Sequence, residues 1–178
     1  MSKKADVWVS AVIYVGIAVT IITIVLAAGM PVINRMRDRN TIIETKDILY
    51  QLNDDIKQTI RDGPGAQRTP VIKISKGEFK IDLTEITWII PNSKFKYSEI
   101  GELIQDGDLT ILTSASQVSD EYSINLTLDY SIKKIKLESK IKTLSGQYNL
   151  LVMYSGVIEV PLNSGNKYYN VTINEIAA

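Results

Sequence analysis

The stretch that decides the fold is VWVSAVIYVGIAVTIITIVLAAGMPVI, residues 7–33. This run contains no charged residue, whereas lysines precede it at positions 3 and 4 and arginines follow it at positions 35, 37 and 39. As a helix, residues 7–30 would extend roughly 36 Å, which is enough to cross the hydrocarbon core of a bilayer. A helix that is apolar on every side is stable in lipid or inside a bundle of similar helices. The run therefore predicts a helix that spans a membrane or forms a bundle.

The helical pattern continues beyond this run in amphipathic form. Apolar residues recur every three or four positions, at Ile42, Ile43, Leu49, Leu52, Ile56 and Ile60. Lys46 is the one polar member of this stripe. The pattern stops at Asp62-Gly63-Pro64-Gly65, a strong helix terminator. We therefore expect one helix over residues 6–62, with a part at 6–33 suited to a membrane or a bundle of helices and an amphipathic part at 34–62 whose stripe must pack on something.

A kink is expected within the apolar part of this helix. Pro31 cannot donate a hydrogen bond to the Ala27 carbonyl, so Gly29 and Pro31 mark an expected kink.

A cleaved secretory signal peptide is disfavoured because its apolar core usually has only about 7–15 residues. The basic residues on the two flanks are too evenly matched for the positive-inside rule to give an orientation.

After residue 66 the periodicity changes to that of short strands. Apolar and polar residues alternate at about 71–75, 79–83, 86–90, 109–114, 124–132, 135–141, 148–160 and 168–176. Lys76-Gly77 predicts a turn, and Lys133-Lys134 predicts a hairpin turn or a bulge between two strands. The chain is therefore expected to be α+β, with residues 66–178 forming an antiparallel β-sandwich-like domain or a sheet wrapped on the helix. Residues 49–60 of the helix are the expected partner of one sheet face.

The composition excludes several classes of chemistry. The 178 residues include 20 Lys+Arg, 20 Asp+Glu, and no His or Cys. Disulfides, thiolate nucleophiles, histidine-dependent triads and Cys or His metal sites are therefore absent. Zero net charge argues against capture of nucleic acid. Carboxylate pairs or a Ser-Lys dyad remain open in principle, but no motif favours them, so we expect no enzyme activity and no cofactor.

The N-terminal residues resemble those of archaeal type IV pilin-like proteins with a class III signal peptide. The resemblance rests on Lys4-Ala5 followed by Asp6-Val7-Trp8, on the uninterrupted apolar helix and on its amphipathic extension, and it covers residues 3–62. It implies that a prepilin peptidase removes residues 1–5 by cutting between Ala5 and Asp6. One departure is Ser10, which stands where many pilins have a glutamate, although archaeal relatives often lack that glutamate.

The resemblance also implies a role and partners. The chain would be inserted in the cytoplasmic membrane before assembly, and assembly machinery would then build it into a helical homopolymer at the cell surface. The filament core would contain Val7, Trp8, Val9, Ile13, Ile17, Ile21, Ile24 and Val25. The β domain would be displayed for adhesion or surface contact. The alternatives are a membrane-anchored β-domain binding protein with a single helix, and a minor pilin or archaellum-type subunit.

Three smaller motifs remain. Asn125 and Asn170 begin N-x-[ST] sequons, and a glycosylated asparagine would have to point outward. Asp106-Gly107-Asp108, with Glu102 nearby, has too few ligands for a calcium loop and is interpreted as an ordinary turn. The lysines at 133, 134, 136, 140 and 142 could form a basic patch, but alternation would place most of them on one solvated strand face, which is the favoured interpretation.

Overall fold

The computed structural model describes residues 3–141, 144–160 and 165–176, with side chains at 10–141, 146–160 and 165–176. It contains one helix, α1 (Lys3–Asp62), and nine strands in the described part. The strands are β1 (Gln67–Arg68), β2 (Val71–Ile81), β3 (Glu85–Ser93), β4 (Leu103–Asp106), β5 (Leu109–Ala115), β6 (Tyr122–Asp129), β7 (Ile135–Ser139), β8 (Leu144–Glu159) and β9 (Lys167–Ile176). The chain divides into two compact units, Met1–Arg37 and Asp38–Ala178, and α1 contributes to both.

The first unit consists, in its described part, of the N-terminal stretch of α1. The helix is continuous through Gly29 and Pro31, so the proline is accommodated without ending it. The second unit contains the remainder of α1 and all of the strands. This arrangement confirms the expected α+β class.

The strands of the second unit form a single curled, mixed sheet. Its order is β4-β5-β6-β3-β2-β8-β9-β7, and β1 pairs with β8. Every pairing is antiparallel except that of β7 with β9. The strands at 71–81, 85–93, 109–115 and 122–129 follow the predicted alternation, whereas the short edge strand β4 was not predicted.

The helix stripe and the sheet share one core. Ile42, Leu49, Leu52 and Ile56 of α1 are fully buried and belong to the same apolar cluster as the inward-facing residues of the sheet. Burying side chains of this size contributes roughly 1.5–3 kcal/mol each. The expectation that the stripe packs on one sheet face is thus confirmed.

The Lys76-Gly77 turn was predicted wrongly. β2 runs without interruption from Val71 to Ile81, and its register shifts between Ile74 and Phe79, so the dipeptide lies in a β-bulge. Gly77 has a φ of +97°, and a Cβ there would overlap the carbonyl oxygen of Ile89. A glycine with positive φ is equally compatible with a turn and a bulge, so the sequence could not separate the two.

The prediction at Lys133-Lys134 was right about a turn between two strands and wrong about the pairing of those strands. A tight turn is present: the Ile135 N–H donates to the Tyr130 carbonyl (3.2 Å), and Lys134 has a φ of +53°. The strands on either side do not pair, since β6 lies between β5 and β3 while β7 lies at the far edge of the sheet beside β9. A hydrogen bond from the Leu137 N–H to the Leu83 carbonyl (2.7 Å) links β7 to the β2–β3 connection.

Candidate functional site

The apolar segment, defined as residues 7–33, is the most unusual surface of the chain. From Ser10 to Ile33 every residue is exposed except Gly29, which is intermediate. Among the predicted filament-core residues, Ile13, Ile17 and Ile21 are 52–56% exposed. Ile24 and Val25 are exposed to a similar extent. A soluble monomer rarely exposes an apolar surface of this size, so the segment indicates a lipid or protein environment that covers it.

The two threonine hydroxyl groups of this segment do not oppose such an environment. Thr20 Oγ1 donates to the Gly16 carbonyl (2.8 Å), and Thr23 Oγ1 donates to the Val19 carbonyl (2.8 Å). Both bonds stay within the helix. A polar group that is already hydrogen-bonded can enter an apolar medium without the cost of an unsatisfied donor. Thr20 and Thr23 can therefore be buried in an apolar surrounding without leaving an unsatisfied hydroxyl donor.

Several predicted site residues lie at the N-terminal end of the chain, where the structure describes the backbone but not the side chains. Lys4, Ala5 and Asp6 belong to the first turns of α1, but their side chains lie outside the described residues, as do those at 7–9. Met1 and Ser2 lie outside them altogether. At Gly29 a Cβ would meet nothing within 4 Å, so the glycine is not required there by close packing.

The amphipathic segment, residues 38–62 of α1, is held to the sheet by polar contacts as well as by the core. Lys46 Nζ donates to Asp106 Oδ2 (2.6 Å) and to the Tyr97 hydroxyl (3.0 Å). Burial alone would lower the pKa of Lys46, but these two hydrogen bonds outweigh it and raise that pKa. The Tyr50 hydroxyl donates to the Asp106 carbonyl (3.1 Å). Burial, followed by the interaction with the Asp106 side chain, raises the pKa of Tyr50 to about 12. These contacts explain why a lysine interrupts the apolar stripe.

A second group of contacts surrounds Asp108. Its carboxylate accepts from Lys133 Nζ (2.5 Å), from Lys57 Nζ and from Asn53 Nδ2 (2.9 Å). Hydrogen bonds from Lys133, Lys57 and Asn53, in that order of size, hold the pKa of Asp108 well below its usual range. Asn53 also accepts a hydrogen bond from the buried Tyr130 hydroxyl (3.2 Å). The side chains of these five residues therefore join the helix to two separate turns of the sheet.

A third contact fixes the start of the amphipathic segment. Asp38 is only 8% exposed, and its carboxylate accepts from Lys76 Nζ (2.8 Å) and from the Lys94 backbone N–H (2.6 Å). Lys76 lies in the β-bulge of β2, which aims its side chain at the helix. No local pattern in the sequence signals these pairs, because their members lie 38 and 56 residues apart.

The contacts at Asp106-Gly107-Asp108 show how its two carboxylates are used within the fold. The tripeptide forms the tight β4–β5 turn, with a φ of +58° at Gly107, as expected of a turn. Both carboxylates are already neutralised by lysines of the helix or of a neighbouring turn. Within the described residues no group of three or more Asp, Glu, His or Cys side chains could hold a metal ion. Because Lys133 is paired with Asp108, it is not part of the predicted basic strand face. Lys142 lies outside the described residues.

The two sequons differ in their surroundings. Asn125 lies in β6 with an intermediate exposure, between the buried Ile124 and Leu126. Asn170 lies in β9, is only 6% exposed, and its Oδ1 atom has no hydrogen-bond partner. Since a glycan needs an outward-pointing asparagine, the folded structure favours Asn125 over Asn170 as an acceptor.

Comparisons with known proteins give no family assignment. No family model, no curated protein and no solved structure matches the chain. Among the described residues, one helix is long and apolar enough to cross a membrane, and its apolar window, which lies near the N-terminus, has no buried residue. The function of the chain must therefore be inferred from its own residues.

Proposed function

We propose that the chain is a structural subunit of a pilus-like surface filament of the archaeal type. The observation that carries this proposal is the exposed apolar segment, which has no charge and whose threonine hydroxyls are bonded within the helix. In the proposed filament, identical segments of neighbouring copies cover one another, which replaces lipid by an equivalent apolar surrounding. The β-rich unit is displayed outward for adhesion or surface contact.

The second unit supports this division of labour. The amphipathic segment and the sheet supply most of its described core, and its helix is fixed by the contacts at Asp38, Asp106 and Asp108. None of the described side chains of the apolar segment, from Ser10 to Ile33, belongs to the buried core, so this part is available for assembly. A long apolar N-terminal helix followed by a β domain is compatible with a pilin-like layout.

The proposed life cycle requires three kinds of partner. The segment first holds the chain in the cytoplasmic membrane, where a prepilin peptidase removes residues 1–5. Assembly machinery then transfers the mature chain, beginning at Asp6, to the filament, where its partners are other copies of itself. The new amino group lies next to the Asp6 carboxylate, the only acidic side chain between residues 1 and 37.

Intact-mass measurement of the chain from the cell surface tests the proposal. We expect a mass that lacks residues 1–5, and filaments in negative-stain images of sheared surface material. An Ala5→Ile variant, whose bulky side chain should block cleavage, is expected to keep its leader and to remain in the membrane. Retention of Met1 in surface material, or a new N-terminus beyond Gly29, would contradict the proposal.

The second candidate is a single-helix membrane anchor for a β-domain binding protein or for a minor subunit. The same length and apolar character that suit a filament core also suit a lone membrane span. This candidate predicts a monomer that stays in the membrane fraction after shearing and is extracted only by detergent. Filaments containing the chain as their bulk component would exclude it.

A further inference from the structure

An open groove lies in the second unit between the outer face of α1 and β2. It has a volume of about 730 Å³, and its apolar surface includes Ile43 from the helix and Val71 from the strand. Ile43 is 45% exposed and Val71 is 56% exposed, although both flank the buried core. The groove therefore offers two adjacent apolar side chains that the fold leaves uncovered.

Charged side chains give this groove a predominantly acidic border. Glu44 and Asp47 lie one helical turn apart on the exposed face of α1, and both line the groove. Lys73 on β2 is the one basic residue among the lining residues, so two carboxylates face one ammonium group. An occupant that combines apolar side chains with a positive charge would complement this surface.

Residues 32–36 of the chain carry that combination. Val32 and Met36 are 57% and 61% exposed, and Arg35 beside them is exposed as well. Their spacing of three and four residues places all three on one side of a helix. A pair of apolar side chains with an adjacent guanidinium therefore faces outward at the C-terminal end of the apolar segment.

We propose that the groove of one copy binds the Val32, Arg35 and Met36 face of a second copy. Val32 and Met36 cover Ile43 and Val71, while Arg35 lies between the carboxylates of Glu44 and Asp47. The two surfaces are different patches of the same chain, so the contact is head-to-tail. Such a contact generates a fibre when the rotation between successive copies does not close a ring, as the proposed filament requires. This inference rests on the proposed filament and specifies a contact that determines how successive copies are offset.

Cysteine cross-linking tests the contact, because the chain has no cysteine of its own. Two full-length variants, Met36→Cys and Val71→Cys, are expressed together with different epitope tags, and surface material is oxidised mildly. We expect a mixed disulfide that carries both tags. The matched control pairs Met36→Cys with Leu103→Cys, an apolar residue that is 66% exposed but does not line the groove, and it should give no mixed product.

Charge exchange supplies a second readout that a merely structural role would not reproduce. Glu44→Arg or Arg35→Glu alone should lower the yield of mixed disulfide about fivefold, the factor expected from losing an exposed charge pair of up to about 1 kcal/mol. Pairing a copy that carries Arg35→Glu and Met36→Cys with one that carries Glu44→Arg and Val71→Cys should restore the yield. Asp54→Arg, on an exposed helix position outside the groove, is the control and should leave the yield unchanged.

The outcomes separate this contact from the proposed function. Sheared filaments that contain the mature chain but no mixed disulfide would overturn the contact and leave the filament proposal standing. A mixed disulfide confined to membranes, without filaments, would support the contact and contradict the filament. Absence of both filaments and mixed disulfide would overturn both.

Discussion

The apolar segment and the amphipathic segment belong to one helix, yet their leucine side chains differ in exposure to solvent. In the apolar segment Leu26 is 57% exposed, whereas in the amphipathic segment Leu52 is completely buried. Both segments have the same backbone hydrogen bonding, so helix formation alone does not distinguish them. The difference is that the sheet covers one stripe of the amphipathic segment, while the apolar segment needs an apolar surrounding on every side. Hydrophobicity in one helix thus serves folding in one part and, we propose, assembly in the other.

The largest expected effect comes from placing a charge in the apolar segment. Ile17→Lys should cost about 3–4 kcal/mol in membrane insertion, because lysine near the middle of a membrane span is strongly disfavoured relative to isoleucine. We expect the variant to be lost from membrane and surface fractions on immunoblots. Gln58→Lys, which adds the same charge at an exposed position of the amphipathic segment, is the control. Equal loss of both variants would break the contrast between the two segments.

A matched pair of leucine truncations tests the contrast from the opposite side. Leu52→Ala should lower the free energy of unfolding of the β-rich unit by about 3 kcal/mol, because it leaves a cavity in the shared core. Leu26→Ala removes the same atoms from an exposed position and should leave that free energy unchanged. Urea titration of the full chain in detergent, followed by the fluorescence of the buried Trp88, measures both. A similar decrease for Leu26→Ala would show that the apolar segment also supports the fold.

The β-bulge beside the amphipathic segment should be the next most sensitive feature. Gly77→Ala combines a positive φ with an overlap on the Ile89 carbonyl, so we expect a loss of about 2–3 kcal/mol in the free energy of unfolding. Gly101→Ala also has a positive φ (+82°) but meets nothing within 4 Å, and it should cost only about 1 kcal/mol. The same urea titration compares them. Equal losses would mean that the close approach at Gly77 relaxes without cost.

The smallest expected effect concerns the acid sensitivity of the amphipathic segment. Because the folded state lowers the pKa of Asp108, its carboxylate stabilises the fold above an unfolded-state pKa of about 3.9, and this contribution disappears as the pH falls below that value. Asp108→Asn should lower the free energy of unfolding by about 1–2 kcal/mol at pH 7 and make it less dependent on pH between roughly 2 and 5. Unfolding curves across that range compare the variant with the parent. Parallel pH dependences would contradict the role of Lys57 and Lys133 in holding this carboxylate ionised.

The sequence was sufficient to predict the helix, its two segments and most strands. Twenty-seven uncharged positions and a stripe at helical spacing are local patterns, and the alternation in β3, β5 and β6 is equally local. The errors at Lys76-Gly77 and Lys133-Lys134 arose where one local signal suits two backbones. A positive φ occurs in turns and in bulges alike, and a tight turn does not say whether the strands that it joins will pair.

The polar contacts of the helix could not be predicted from the sequence, because they depend on the tertiary structure. Nothing adjacent to Lys46 or Asp38 in the chain indicates Asp106 or Lys76 as a partner, because these pairs form only when the sheet curls around the helix. The parallel pairing of β7 with β9 and the groove beside Val71 likewise depend on strand order. The sequence by itself determined that residues 7–33 require an apolar surrounding, since that follows from composition. Which residues meet within the β-rich unit depends on long-range packing, which no local pattern encodes.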